Sequence, residues 1–402
     1  MIKREYQKYG TLLSLYLAQS IPMSFFSTVV PVIMRQENYS LEAIGYLQLV
    51  KLPWILKFIW APLVDKTSPN RRTYRRWIIL SELFYAVVIV GIGFLDLDTD
   101  FTLIIILMVI AFAASATQDI ATDAFAILCL KKKERSFGNS MQSAGSFLGA
   151  LVGSGLLLII YHYMGWQYLL TALAVFVILA LIPLRLYPLD KSISCEKSGK
   201  SISMNDIILF FKQEGIGKRI VILLMYYSGM IGVLTMLKPF LVDLNYSVKD
   251  IGFISGIFGT AIGAACALLG GLLIKKIGRK KSLLAFSTAG MLAAMYFLWL
   301  SHAPEGLFRL YLGVALLWGA YAVSSVGIYT ISMDIVRPGR EGTDFTIQIV
   351  LVHLSSLVVA VFSGRVADII GYKGLFFVEV VLAALVVGVV YVFYQEKIRT
   401  ND

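Results

Sequence analysis

Two aspartates lie four residues apart within a long apolar segment, in the sequence Gln118-Asp119-Ile120-Ala121-Thr122-Asp123. On a helix this spacing places both carboxylates on one face. Two like charges in a poorly solvated place favour the protonated form of at least one of them, which is the property a proton carrier needs. We therefore expect Asp119 and Asp123 to couple proton movement to the protein's activity. The competing interpretation is a salt-bridged gate with the basic residues that follow, which are Lys131, Lys132, Lys133 and Arg135.

Three lysines also lie in apolar segments, where a central Lys costs roughly 2.5–3.5 kcal/mol on insertion scales. Lys51 would lie about 15 Å deep along its helix, so we expect it to bind a substrate; a structural pair with a buried carboxylate is the alternative. Lys57, about 24 Å deep, either joins that site or extends its stem to the cytoplasmic head groups. The same two roles are open to Lys238, which precedes Pro239 near a helix end. Lysines that share a cavity would favour an anionic solute or one rich in acceptor oxygens.

His353 is a third candidate for proton coupling, because it is the only histidine near the middle of an apolar segment and histidine titrates near neutral pH. Its alternative role is packing. The remaining candidate substrate contacts are polar or aromatic side chains for which packing is equally the alternative: Tyr16, Gln19, Trp54, Tyr226, Tyr227 and Tyr321.

The composition places these residues in a membrane. Of 402 residues 58 % are hydrophobic and 15 % charged, which excludes an ordinary soluble domain. The cysteines, Cys129, Cys195 and Cys266, are too far apart for a disulfide framework or a CxxC metal site. We expect no metal and no cofactor. No Gly-rich Lys-Ser/Thr phosphate loop is present, so ATP hydrolysis by that route is excluded.

Apolar runs long enough to span a bilayer occur twelve times, because one crossing takes about 20 residues. A polar stretch, 188–218, separates the sixth run from the seventh, and within it 207–211 forms either an amphipathic surface helix or a plain loop. We therefore expect two six-helix bundles, 1–187 and 219–402, joined by this cytoplasmic linker. The predicted spans are 10–34, 41–64, 77–95, 102–129, 138–161, 166–187, 219–243, 249–274, 282–300, 307–333, 344–369 and 373–394.

The net charge of +11 reports membrane orientation. Of the 36 basic residues, 28 lie in the two tails and in alternate loops, and translocated loops are poor in Lys and Arg. Both termini are therefore expected in the cytoplasm, with the chain in the inner (plasma) membrane. This distribution also removes the nucleic-acid partner that such a surplus would suggest in a soluble protein.

The two halves are duplicated. The stretch from Asn38 to Tyr46, NYSLEAIGY, returns from Asn245 to Phe253 as NYSVKDIGF, and Gly165-Trp166 returns as Gly371-Tyr372. An offset of 206–207 residues spans six helices, so the copies are parallel repeats about an axis along the membrane normal. That arrangement is typical of the major facilitator superfamily.

Loop motifs make the resemblance specific. Gly271 to Lys281, GLLIKKIGRKK, resembles the superfamily's motif after the eighth helix, with Lys275 in place of the usual Asp, and Trp60 to Lys66, WAPLVDK, keeps the acid at Asp65. WAPLVDK, the preceding Lys51-Leu52-Pro53 and the two aspartates resemble the AmpG branch, which groups muropeptide permeases, acetyl-CoA transporters and siderophore permeases. The stretch from Glu134 to Gln142 more closely resembles the siderophore permeases of this branch. We assign a gate to Asp65, Arg72, Arg135, Gln142, Arg279, Asp344 and Gln348.

These patterns and the resemblance predict a secondary transporter that imports a sizeable polar or anionic solute, a siderophore or a muropeptide, by alternating access with proton coupling. Acetyl-CoA or another anionic metabolite is the alternative solute. From other classes, a membrane enzyme is disfavoured by the dispersed histidines, and a channel by the duplicated topology. We expect a monomer whose partners are the solute, protons and the lipid bilayer.

Overall fold

The computed structural model describes residues 2–36, 50–96, 99–188, 202–302 and 306–394, and within these ranges the chain is helical and contains no strand. Within these ranges, eight helices are long and apolar enough to cross a membrane. Two of them, Arg135–Leu186 and Glu341–Phe393, have 52 and 53 residues, more than twice the length of one crossing. Each therefore holds two of the predicted spans, and the all-α membrane fold is confirmed.

We number the helices by predicted span. The first four are α1 (Ile2–Ser24, a π-helical turn Phe25–Val29, then Val30–Gln36), α2 (Leu52–Leu56, a 3-10 turn Lys57–Ile59, then Ala61–Thr67), α3 (Arg71–Ile92) and α4 (Phe101–Cys129). Next come α5 (from Arg135) and α6 (to Leu186), which meet at Gly165. The second set is α7 (Ile216–Met225 and Ser228–Asp243), α8 (Val248–Ile251, Gly252–Phe258 and Gly259–Ile277), α9 (Arg279–Leu300), α10 (Leu307–Met333), and α11 and α12 (Glu341–Phe393), which meet at Gly371.

The bends at Gly165 and Gly371 show the duplication in the backbone conformation as well as in the sequence. Gly165 has φ 82° and Gly371 has φ 70°, a region that a residue with a Cβ rarely adopts. They lie 206 residues apart, the offset of the sequence repeat. The chain therefore turns from α5 to α6 and from α11 to α12 at a glycine with positive φ in each case, as expected for parallel repeats. The first copy of the NYS motif lies outside the described residues.

Two compact units divide the described chain. One comprises Met1–Lys132, Ala144–Ile208 and Ile335–Ile347, and the other Lys133–Ser143, Leu209–Asp334 and Gln348–Asp402. In the first unit Phe26 of α1 and Phe112 of α4 form an edge-to-face pair in the core. In the second, Phe297 of α9 contacts Phe376 of α12.

A stripe of glycines lets α5 approach α1 within the first unit. A Cβ added to Gly145, Gly149 or Gly153 would lie 2.4–2.7 Å from a backbone carbonyl oxygen of α1, closer than van der Waals contact permits. The three contacts repeat every fourth residue on both helices, as in small-xxx-small packing. The carbonyls belong to Leu13, Leu17 and Ile21.

Within the predicted linker, Asn205–Phe211 is a helix. Of the two alternatives for this stretch, the structure therefore shows the helix. Its Phe210 is fully buried, whereas Ile208, Leu209 and Phe211 are exposed. Residues 189–201 of the linker lie outside the described ranges.

Candidate functional site

Helix α2 is broken at the residues that form the site. Pro62 follows the break, and a proline inside a helix lacks the N–H and clashes with the carbonyl four residues earlier. The chain accordingly changes from helix to the 3-10 turn Lys57–Ile59 before Ala61–Thr67 resumes the helix. Lys57 begins that turn, and its side chain is 1 % exposed. The lysine stem therefore does not extend to the head groups, which removes one of its two predicted roles.

The Lys57 ammonium forms an ion pair with Asp119 Oδ2 on α4, and Asp119 Oδ1 accepts a hydrogen bond from Gln19 Nε2 on α1. Lys57 Nζ also lies 4.6 Å from the centre of the Trp54 ring, a cation–π contact. We call Gln19, Trp54, Lys57 and Asp119 the Lys57 cluster. It ties three helices of the first unit together around one buried pair of charges.

The second aspartate of the pair faces the same neighbouring helix. Tyr16, one turn before Gln19 on α1, donates a hydrogen bond of 2.7 Å to Asp123 Oδ1. Asp119 and Asp123 are each 2 % exposed. Because of the i, i+4 spacing, both carboxylates face α1. The Tyr16 hydroxyl donates to Asp123 there, and the Gln19 amide donates to Asp119.

Several polar atoms at or beside the Lys57 cluster make no hydrogen bond within the described part of the chain. Gln19 Oε1 is an acceptor of this kind and Trp54 Nε1 a donor, and the hydroxyl of Thr122 and both amide atoms of Gln118 are further cases. An unsatisfied buried polar atom costs about 1–3 kcal/mol. The cluster thus offers a donor and an acceptor to a polar molecule, next to a lysine and a carboxylate.

Not all of the predicted substrate and coupling residues join this cluster. Lys51 is half-buried and immediately precedes the helix Leu52–Leu56, six residues before Lys57. Lys238 on α7 and His353 on α11 have exposed side chains. The ion pair with Asp119 is therefore made by Lys57 rather than by these three side chains.

Tyrosines form a separate cluster in the second unit, where α7 is interrupted between Met225 and Ser228. The rings of Tyr227 and Tyr321 lie 5.5 Å apart, and the Tyr226 hydroxyl donates to the carbonyl of Leu283 at 3.0 Å. Tyr226 is 1 % exposed and Tyr227 is 6 % exposed, so both rings are buried in the described arrangement.

Asp65, predicted as a gate residue, caps the start of α11. Its carboxylate accepts bonds from Gly342 N at 3.0 Å, Thr343 N at 2.7 Å, Thr343 Oγ1 at 2.6 Å and Tyr74 OH at 2.7 Å. A carboxylate here meets the free N–H groups and positive end of the helix dipole. A Cβ on Gly342 would lie 2.6 Å from Asp65 Oδ1. Arg72, which was assigned to the same gate, is exposed.

In the second unit Asp334 contacts two of the arginines that were predicted for a gate. It follows the last residue of α10 and pairs with Arg135 at 3.1 Å and Arg279 at 2.8 Å. The family motif has its acid at the position of Lys275, so sequence comparison left Arg279 without an obvious partner. The structure provides one from another helix. Gln348 Nε2 donates to Ser332 O at 3.1 Å, and Gln142 is buried on α5.

The linker helix joins a third ionic group that sequence reasoning missed. Asp344, a predicted gate residue, accepts bonds from Arg337 at 2.5 and 2.8 Å, while Asp206 pairs with Arg337 at 3.7 Å and with Arg340. Burial lowers the pKa of Arg337, but the bond and charge of Asp344 outweigh it and raise that pKa above its usual value. The sequence did hold a signal for this linker helix: Ser203 lies three residues before Asp206, and this spacing marks the start of a helix.

Comparisons with known proteins agree with this architecture. The Major Facilitator Superfamily profile matches residues 12–319 and 219–401. The "Anhydromuropeptide permease" of Escherichia coli (strain K12) is 27 % identical over 279 residues, which are 68 % of this chain and 57 % of that protein. The match thus spans little more than half of the permease. The "Putative transporter AmpG 4" of Rickettsia conorii is 22 % identical over 382 residues, covering 91 % of this chain and 92 % of the relative.

Solved structures show the same fold at low identity. The human organic anion transporter MFSD10 superposes with a TM-score of 0.73 at 14 % identity, covering 96 % of this chain and 99 % of that one. The Escherichia coli fucose:proton symporter superposes with a TM-score of 0.70 at 14 % identity, covering 96 % and 98 %. Profile, relatives and fold agree, and the chain belongs to the Major Facilitator Superfamily of membrane transporters.

Proposed function

We propose that this transporter is proton-coupled and imports a sizeable polar or anionic solute across the inner membrane by alternating access, with both termini in the cytoplasm. The observation that carries the proposal is the buried ion pair of Lys57 and Asp119. A charged pair in a membrane-spanning bundle is costly unless both partners stay matched. A role in transport accounts for the presence of this costly pair where α1, α2 and α4 meet.

Proton coupling follows if Lys57 and a proton compete for the Asp119 carboxylate. While the carboxylate is ionised, it holds the Lys57 ammonium. A proton on Asp119 would neutralise it and leave Lys57 as an unpaired buried cation, which then attracts an anionic group. Protonation and solute binding would therefore each favour the other, as linkage requires. Asp123, held by Tyr16, stands one turn away as a second carboxylate.

The solute class follows from what surrounds Lys57. The acceptor Gln19 Oε1 and the donor Trp54 Nε1 suit a molecule with hydroxyl, amide or carboxylate groups, and the Trp54 ring suits a flat or sugar-like face. Lys51, half-buried six residues earlier on α2, would add a second cation. A muropeptide, as in the name of the Escherichia coli relative, or a siderophore has these features.

The ionic groups at the helix ends are proposed gates. Asp65 at the start of α11 and Asp334 with Arg135 and Arg279 each join helices that are distant in sequence. A transport cycle must break and remake contacts of this kind, because alternating access moves helix bundles against each other. We place both groups on the cytoplasmic side, where the basic loops lie.

Counterflow into proteoliposomes tests the function. An anhydromuropeptide, a ferric siderophore and acetyl-CoA would be offered in turn as labelled solutes, after a thermal-shift screen for stabilisation by each compound. We expect saturable exchange of one compound and its accumulation when the outside is acidic. Unsaturable flux would indicate a channel, and chemical alteration of the solute would indicate an enzyme.

A further inference from the structure

A buried carboxyl group that plays no part in the proposed transport site lies in the second unit. Glu379 on α12 is 1 % exposed. Its Oε1 lies 3.3 Å from Ser363 Oγ on α11, and its Oε2 is buried with no hydrogen-bond partner among the described residues. No Lys, Arg or His of the described residues forms an ion pair with it. A charge here would be far costlier than an unpaired neutral group.

The protein makes room for this carboxyl with glycine. A Cβ on Gly232 of α7 would lie 2.0 Å from Glu379 Oε1 and 2.5 Å from Ser363 Oγ, and a Cβ on Gly229 would lie 2.3 Å from Ala383 Cβ. Helices α7 and α12 therefore cross in direct contact through positions i and i+3 of one and i and i+4 of the other. Because glycine has no Cβ, Gly232 leaves the space in which the carboxyl sits.

Hydrogen counting assigns the protonation state. Ser363 has one hydroxyl hydrogen, and its Oγ lies 2.7 Å from the carbonyl oxygen of Val359 but 3.3 Å from Glu379 Oε1. The shorter contact takes the hydroxyl hydrogen. A hydrogen on Oε1 would let Glu379 donate to Ser363 Oγ, so that Glu379, Ser363 and Val359 form one donor chain. An ionised carboxylate would instead leave Ser363 with one hydrogen for two acceptors.

In the described parts of the surrounding helices, the nearest charged side chains have other partners or lie without a bond to Glu379. Asp243 of α7 accepts from Tyr372 at 2.8 Å, and Lys280 of α9 lies 5.6 Å from the centre of the Tyr391 ring. Ion pairs or hydrogen bonds to the Glu379 carboxyl are also absent, within the described ranges, from the other titratable groups of the packed elements: Lys238 on α7, Tyr296 on α9, His353, Arg365 and Asp368 on α11, and Lys373 on α12.

We propose that Glu379 is a proton-binding site of its own, which holds one proton while α7, α11 and α12 are packed together and releases it when they separate. The site is independent of Asp119 and needs no solute. A second titrating carboxyl in the other unit would let opening of these three helices respond to the pH on the side to which they open.

Equilibrium unfolding of the full chain in mixed micelles, between about pH 6 and pH 8, tests the assignment. A glutamate that is neutral when folded and ionised when unfolded releases one proton on unfolding, so stability falls as the pH rises. We expect the unfolding constant of the wild type to rise tenfold more per pH unit than that of Glu379→Gln, or about 1.4 kcal/mol per unit. The double variant Lys57→Met with Asp119→Asn, which leaves two neutral groups at the proposed transport site, should keep the wild-type difference, and this separates the test from the proposed transport role.

Control variants distinguish a proton on Glu379 from a bound cation and from a general loss of packing. Glu214→Gln removes a carboxylate from an exposed position and should leave the pH dependence unchanged. Glu379→Met serves as a second uncharged variant, with the same expectation as Glu379→Gln. Equal pH dependence of wild type and variants would overturn the proposal, as would failure of both variants to fold at any pH. So would stabilisation of the wild type alone by NaCl over choline chloride, since that indicates a bound sodium ion.

Discussion

Lys57 of α2 and Asp119 of α4 form an ion pair from which water is almost excluded, with side chains that are 1 % and 3 % exposed. Gln19 of α1 completes the coordination of the carboxylate. The same two charges therefore have two roles. They hold three helices together, and they form the proposed site where a proton binds Asp119 and an anionic solute binds Lys57. The two roles can be separated by mutation.

Replacement of one partner should destabilise the protein more than replacement of both. Lys57→Met leaves Asp119 as a buried charge without its cation, and breaking such a pair costs about 3–5 kcal/mol. Lys57→Met with Asp119→Asn leaves two neutral groups, so we expect it to recover more than half of that loss. Unfolding free energies in micelles measure the cycle, with Lys66→Met on the exposed surface of α2 as the control. Additive losses would show that the two side chains do not interact.

Asp119→Asn should uncouple transport from the proton gradient. The amide keeps the shape of the carboxylate and its contact with Gln19, but it cannot take up a proton. We expect saturable solute exchange to persist while accumulation driven by an acidic exterior falls to the level of passive exchange. Undiminished accumulation in proteoliposomes would assign coupling to another group, and Asp123→Asn is the first variant to compare.

Lys51→Ala should abolish solute binding without loss of the folded protein. Lys51 is half-buried at the start of Leu52–Leu56, and its removal takes away a cation while the Lys57 pair stays intact. Binding is measured by thermal shift with the solute identified in the counterflow screen. Lys66→Ala provides the matched control. Unchanged affinity in Lys51→Ala would remove this lysine from the site.

Tyr16→Phe should destabilise the protein because it removes the hydrogen bond to Asp123. It deletes the hydroxyl that donates to the buried carboxylate at 2.7 Å and leaves the ring in place, at a cost of about 1–3 kcal/mol for an acceptor left short of a partner. Tyr168→Phe, at a ring that is 59 % exposed, should change the free energy of unfolding by a few tenths of a kcal/mol, about the scale of surface substitutions. Equal effects of the two changes would contradict the assigned bond.

The sequence was sufficient for the parts of this architecture that follow from period and repetition. Apolar run length predicted the spans, and the offset of the repeat predicted that Gly165 and Gly371 would be equivalent. Helical spacing also predicted that Asp119 and Asp123 lie on the same face of their helix. The partner of Asp119 could not be predicted in this way, because it depends on the break at Lys57–Ile59, which turns one lysine inward. Asp206 was missed because its partners, Arg337 and Arg340, lie 131 and 134 residues farther along the chain.

Asp65→Asn should weaken the start of α11. The four donors around Asp65 match a carboxylate, whereas an asparagine turns one N–H₂ group toward N–H donors. Loss of a cap costs about 0.5–2 kcal/mol, and the lost charge at the helix end adds about 0.3–1 kcal/mol. Thr343→Val removes one donor to the same carboxylate, so the double variant should lose less than the two single losses combined. Glu214→Gln controls for removal of a surface charge, and strict additivity in the unfolding free energies would show that Asp65 and Thr343 act separately.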